Sequence, residues 1–336
     1  MNLFDCTLRD GANVVGNGFS PELTKSMIKN LIACGIKEIE FGNAKGIGSY
    51  ENGAIAPMTD LEYMKLAAPY VDRGHLGMFL LAHQANEERV CQAAEHNLHF
   101  LRVGFAAGDG AKATKAVKMV KAVGLTCRYS LMKAYLLDPR ALAQEGRLLE
   151  KAGVDVITIM DSAGTMMPNE VTDYVREMKA TVSIPVGFHG HNNLGLSQAN
   201  ALAALEAHAD EIDTGMLGMA RSAGNCSTEL TAAMLVRLGL FPDANFYRLL
   251  TYLDTELIPA MRRYNYRVAV CPEDLILGLS GCHSSFLKLY RKVAAEEGVD
   301  VYKLIIHTSA LDRKLPTEEL MHRISTEIKT PQKIEA

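Results

Sequence analysis

Eight short apolar runs, each followed by a stretch of helical character, constrain this chain more than any other feature of its sequence. The runs cover 2–7, 37–41, 76–81, 100–105, 126–132, 154–160, 185–191 and 211–216. Between them lie segments such as PELTKSMIKNLIACG, NEERVCQAAEHN and DPRALAQEGRLLEKAG, several closed by a glycine of the kind that ends helices. An open doubly wound sheet usually stops at five or six strands, so eight alternations over roughly 240 residues predict an α/β fold of the TIM (β/α)8 barrel type. Past Leu240 the pattern becomes wholly helical. This predicts a barrel over 1–240 and an all-helical C-terminal appendage over 241–336.

The 336 residues are 48% hydrophobic and 22% charged, which supplies a sizeable core and excludes a disordered chain. A net charge of −4 and the lack of any Lys/Arg run argue against a nucleic-acid track, leaving small molecules as the expected ligands. No apolar run approaches the ~18 residues of a membrane span, and the opening NLFDCTL lacks the charged start of a signal peptide. A cytoplasmic protein without membrane contact is expected. The seven cysteines, at 6, 34, 91, 127, 226, 271 and 282, form no CxxC pair and read as largely buried free thiols.

In such a barrel the residues closing each strand face the reaction site. The first run ends Asp5-Cys6-Thr7-Leu8-Arg9-Asp10-Gly11, the second Glu38-Ile39-Glu40, and the sixth Met160-Asp161-Ser162. The seventh ends Gly187-Phe188-His189-Gly190-His191, and histidines two apart on an extended chain project from one face. With Asp10 from the first strand they make a two-His, one-carboxylate set that leaves coordination positions open for substrate. Hard oxygen ligands from a substrate favour Mn²⁺ or Mg²⁺, while Zn²⁺, Co²⁺ and Fe²⁺ also suit these donors. A His-x-His pair on a strand also arises without a metal; its place at the end of strand seven is what favours one. Of the other histidines, those at 75, 83, 96, 99, 208, 307 and 322 read as surface or core residues.

DCTLRDG from Asp5, GFHGHNNLGLSQANALAA from Gly187 and EIDTGMLGMARSAGN from Glu211 together resemble the 4-hydroxy-2-oxovalerate aldolases. These belong to the wider superfamily of hydroxymethylglutaryl-CoA lyase and isopropylmalate synthase. TDLEY (59–63), AQEGRLLEKAG (143–153), MDSAGTM (160–166) and LILGLSGCHSSFLKLY (275–290) extend the likeness from Asp5 to about 300. The resemblance implies a divalent-metal-dependent aldolase that joins or splits pyruvate, or a related 2-oxo acid, and an aldehyde through a metal-stabilised enolate. It implies Asp10, His189 and His191 as metal ligands with Asn225 as a further one, Arg9 on the keto oxygen, and Ser162 on the pyruvyl carboxylate. Glu40 either contributes to substrate binding or is a buried acid that steadies Arg9, and Asp161 supports its neighbours. It further implies a homo-oligomer and an acylating aldehyde dehydrogenase docked on the C-terminal helices.

Two positions depart from the family pattern. The aldolases carry a histidine two residues past LRDG, read as the base that takes the hydroxyl proton; here Asn13 stands there, and an amide cannot accept that proton. They also carry a tyrosine where this chain has His283. Either His283 replaces the missing base, its ordinary pKa suiting proton transfer near neutrality, or it packs where the tyrosine would. Two other functions compete: a Claisen-type synthase condensing an acyl-CoA with a 2-oxo acid, whose usual RDGEQ is RDGAN here, and a noncatalytic partner-binding barrel. The loop from Gly42 to Pro57 is expected to join the substrate pocket, and its glycines suggest mobility.

Overall fold

A computed structural model describes residues 2–241, 245–266, 286–312 and 316–329, with positions 272, 273, 276, 280 and 282 between them. Eight parallel strands close into a barrel in sequence order: β1 (Asn2–Asp5), β2 (Glu38–Glu40), β3 (His75–Leu81), β4 (Phe100–Ala106), β5 (Thr126–Met132), β6 (Val156–Asp161), β7 (Val186–Gly190) and β8 (Glu211–Thr214). β8 pairs back onto β1 in register from Asn2 opposite Glu211 to Asp5 opposite Thr214, which removes every sheet edge. All eight predicted runs are strands.

The helices between strands cover the outside. In α5 (Pro139–Ala152) Leu142, Ala143, Gly146 and Leu149 are buried, and in α6 (Pro168–Thr181) Val171, Tyr174, Val175 and Met178 are, each set one helical stripe. Asp138 caps the first of these, accepting the Ala141 N–H at 2.9 Å. Two compact units result, one comprising Met1–Ala232 and Leu240–Ala244, the other Ala233–Gly239 and Asn245–Ala336. In the second unit Leu287–Glu297, Val301–Leu311 and Glu318–Lys329 pack together around Tyr290, Ile305 and Met321. The helical run from Phe246 to Arg262 passes through a π-helical stretch, Leu253–Leu257, just before Pro259, whose missing N–H cannot close an ordinary turn. No helix among the described residues is long and apolar enough to cross a membrane. Of the described cysteines, Cys91 is exposed and the others are buried.

The barrel interior departs from the usual filling of branched aliphatics. The guanidiniums of Arg102 (β4) and Arg128 (β5) stack on the Phe4 ring at 4.6 and 4.5 Å. Arg128 pairs with Glu211 and with Glu38 at 3.2 Å. Arg102, wholly buried, reaches Asp213 at 2.6 Å and Glu40 at 3.7 Å. A Cβ on Gly104 would stand 2.3 Å from Phe79 Cζ, so the bare backbone there is what admits that ring.

The 42–58 segment, whose glycines suggest mobility, is tied by its own side chains and that of Asp60. Asn43 Nδ2 donates to the Ala54 carbonyl at 2.7 Å, Asn43 Oδ1 accepts the Lys45 N–H at 3.0 Å, and Asp60 accepts the Gly48 N–H at 2.7 Å. Gly46 holds φ +90° with its Cβ direction 2.7 Å from the Phe79 carbonyl oxygen, so glycine here serves shape rather than motion. Removing the central interior cation leaves Asp213 and Glu40 buried without it. Arg102→Met should therefore cost about 3–5 kcal/mol of stability in urea unfolding, and an unmoved midpoint would contradict this account of the core.

Candidate metal and substrate site

Asp10, His189 and His191 meet at the C-terminal mouth of the barrel. Asp10 follows β1 on a tight turn in which the Arg9 and Asp10 N–H groups both donate to the Cys6 carbonyl. The histidines come from the last turn of the pleat of β7 and the residue just beyond it. Asp10 Oδ2 lies 3.6 Å from His189 Nε2 and 3.9 Å from His191 Nε2. These separations are too long for hydrogen bonds and short enough for one ion to touch all three at roughly 2.0–2.2 Å. All three side chains are buried.

Each histidine keeps one buried ring nitrogen without a hydrogen-bond partner. His189 Nδ1 sits 2.9 Å from Asp213 Oδ2, so Nδ1 carries the proton and Nε2 presents a lone pair that meets no donor among the described residues. Asn225 is brought alongside by a backbone bridge to His191. Its Nδ2 donates to Asp10 Oδ2 at 2.9 Å while its Oδ1, also buried, has no donor. Each unpaired buried polar atom costs about 1–3 kcal/mol, and a purely structural cluster would pair them. The set therefore fits a divalent cation held by Asp10, His189, His191 and Asn225, with Asp213 orienting His189 from behind.

Protonation states agree with that fit. Burial and the neighbouring His189 push the His191 imidazole down to about 4, which keeps it neutral at ordinary pH. Burial alone would raise the Asp10 carboxyl, but Arg9 and the two histidines outweigh it and hold it far below the usual carboxylate range. Burial likewise works against the Arg9 charge, and Glu40 and Asp10 more than offset it. Arg9 pairs with Glu40 through Nε and with Asp10 Oδ1 at 3.1 Å through Nη1, and its buried Nη2 is left without a partner.

These groups open onto a cavity of about 550 Å³ lined in part by Arg9, Asp10, Asn13, Ser162 and His191. Ser162 Oγ accepts the Lys133 N–H at 2.8 Å, which leaves its hydroxyl proton free to donate. Asn13 Nδ2 donates to the Asp10 carbonyl at 2.8 Å and to Asp10 Oδ1 at 3.3 Å, so the amide braces the carboxylate. Glu40 is fully buried and engages two guanidiniums, acting through Arg9. Asp161 accepts the N–H groups of Thr165 and Met166 at 3.0 and 2.9 Å and shapes the Ser162 loop. His283 lies outside the described residues. Sequence reading missed Asp213 and Arg102; the period of two in Glu211-Ile212-Asp213 was the available sign that both acids face inward.

Comparison with known proteins agrees with this geometry. The HMGL-like family profile matches residues 1–255. A 4-hydroxy-2-oxovalerate aldolase of Carboxydothermus hydrogenoformans is 32% identical over 99% of this chain and 98% of its own length. One from Desulfitobacterium hafniense is 32% identical over 91% of each. Among solved structures, the carboxyl transferase domain of Rhizobium etli pyruvate carboxylase, with 3-bromopyruvate, superposes with a TM-score of 0.67 at 15% identity. That match covers 98% of this chain and 61% of the other, and it speaks for the fold alone. With a family profile over three quarters of its length and full-length relatives of one kind, the chain belongs to the HMGL-like family and, within it, to the 4-hydroxy-2-oxovalerate aldolase family.

Proposed function

We propose that this protein is a divalent-metal-dependent aldolase that cleaves or forms a carbon–carbon bond between pyruvate, or a close 2-oxo acid, and an aldehyde. What carries the reading is one juxtaposition: the clustered ligand atoms of Asp10, His189 and His191, with unpartnered nitrogens on both histidines and an unpartnered oxygen on Asn225, beside the unpartnered Nη2 of Arg9. When bound there, a cation, for which Mn²⁺ or Mg²⁺ is our assignment, supplies Lewis-acid charge at the 2-oxo group. Arg9 donates to the same keto oxygen, where negative charge develops as the bond breaks, and its anchoring by Glu40 fixes the donor before the reaction begins. Ser162 donates its free hydroxyl proton to the 2-oxo acid's carboxylate, which aligns the reacting carbons.

In the cleavage direction the substrate's 4-hydroxyl loses its proton, the C3–C4 bond breaks, and its electron pair moves to the keto oxygen. The aldehyde departs, and protonation at C3 completes pyruvate. Asn13, tied to Asp10, takes no part in the first proton transfer. We assign that transfer to His283 on the sequence exchange with the aldolases.

Three outcomes are expected. Chelation should abolish, and Mn²⁺ restore, exchange of pyruvate methyl protons in deuterated water followed by NMR; exchange that persists in metal-free protein would sink the proposal. Asp213→Asn should weaken metal binding about 10- to 100-fold by titration, because His189 loses its anionic orienting partner. His283→Ala should lower kcat for aldol cleavage by roughly 10²- to 10⁴-fold, and full activity in that variant would remove His283 from the mechanism.

A further inference from the structure

The cavity is positively charged in a protein that is not. Arg9, Lys45, Lys133 and Arg221 line it against a single acid, Asp10, although the chain as a whole carries a net charge of −4. Arg9 is already neutralised by Glu40 and Asp10. The side chains of Lys45, Lys133 and Arg221 form no ion pair among the described residues, whereas Lys121 and Lys179 elsewhere on the barrel each hold an aspartate at 2.7 Å. Arg221 is near enough to His191 for its charge to bear on that imidazole.

The backbone under these cations is fixed, while their side chains are exposed. Lys133 sits at φ +56°, and Ser222, next to Arg221, at φ +59°, left-handed conformations that cost a side-chain-bearing residue free energy and that collect at ligand sites. Asn193 Nδ2 fixes Ser222 through its Oγ at 2.7 Å, and the Asn43 side chain fixes Lys45.

Barrel order separates the cations into two groups. Lys133 and Ser162 follow β5 and β6, and they suffice for the one carboxylate of a 2-oxo acid. Lys45 and Arg221 lie on the loops after β2 and β8, the two strands that flank β1, on the opposite side of the closed barrel from β5. A cavity of about 550 Å³ falls in the range of about 300–1,000 Å³ typical of drug-sized ligands, far beyond the need of a three-carbon acid. Resting on the aldolase reading above, we infer that the aldehyde fragment carries a second anionic group, a carboxylate or a phosphate ester, received by Lys45 and Arg221. The substrate is thus a hydroxy-oxo acid with an anionic group at each end.

The test uses the full chain loaded with Mn²⁺ and measures kcat/KM for aldol addition of pyruvate to butanal, succinate semialdehyde and glycolaldehyde phosphate. At least one anionic aldehyde should exceed butanal by roughly 10- to 100-fold, as expected for charge-assisted hydrogen bonds, and the better of the two names the acidic group. The advantage should shrink at high salt and in both Lys45→Met and Arg221→Met. A ratio that neither variant moves overturns the assignment. Pyruvate methyl exchange, which needs no aldehyde, separates the two ideas. Exchange without an anionic preference overturns this inference and spares the aldolase reading, whereas absence of exchange overturns both.

Discussion

A buried chain of alternating charges organises the barrel and its mouth. Arg9 rests on Glu40, Glu40 also meets Arg102, Arg102 holds Asp213, and Asp213 orients His189, whose other nitrogen faces Asp10. Five strands or strand ends are thereby joined through contacts that water does not reach. Charges so deeply buried are costly unless each has a partner, and the desolvation of two ions can exceed their mutual attraction. The interior therefore tolerates few rearrangements. The same tightness that penalises a lost partner sets His189 and Arg9 at fixed positions before any substrate arrives.

The network explains why the site sits where it does. Inward positions alternate along each strand, so the charged floor formed by Glu38, Arg128 and Glu211 lies one layer below Glu40, Arg102 and Asp213, and the ligand donors lie above these. Aromatic rings separate and cushion the layers, with Phe4 under two guanidiniums and Phe79 against Arg9 at 4.8 Å. Stability and reactivity draw on the same residues.

Much of this was legible in the sequence. Strand count, barrel class and the convergence of Asp10 with His189 and His191 follow from the alternation of elements and the period of two, because both are local patterns. The Arg102–Asp213 pair was not, since its members stand 111 positions apart, Arg102 interrupts an apolar run, and nothing local matches it to the alternating acids of β8. Charges inside strands acquire meaning only when closure of the barrel decides which face is interior. Asn225 was reachable only by resemblance: its place beside His191 comes from a backbone bridge that no periodicity announces. The glycines of the 42–58 loop are ambiguous for a related reason, since a chain forced into a tight path and a chain free to move recruit the same residue.

The cavity is assembled from two kinds of support. Arg9, Asp10 and His189 are bolted to the charged interior, whereas Lys45 and Arg221 stand exposed on the loops after β2 and β8, and no ion pair holds their side chains among the described residues. Exchange of those exposed side chains leaves the enolate-forming half undisturbed, while a change at the strand ends strikes core and chemistry together. A lineage built on this scaffold can accordingly explore new acceptor molecules by editing its rim and still inherit an unaltered bond-making engine.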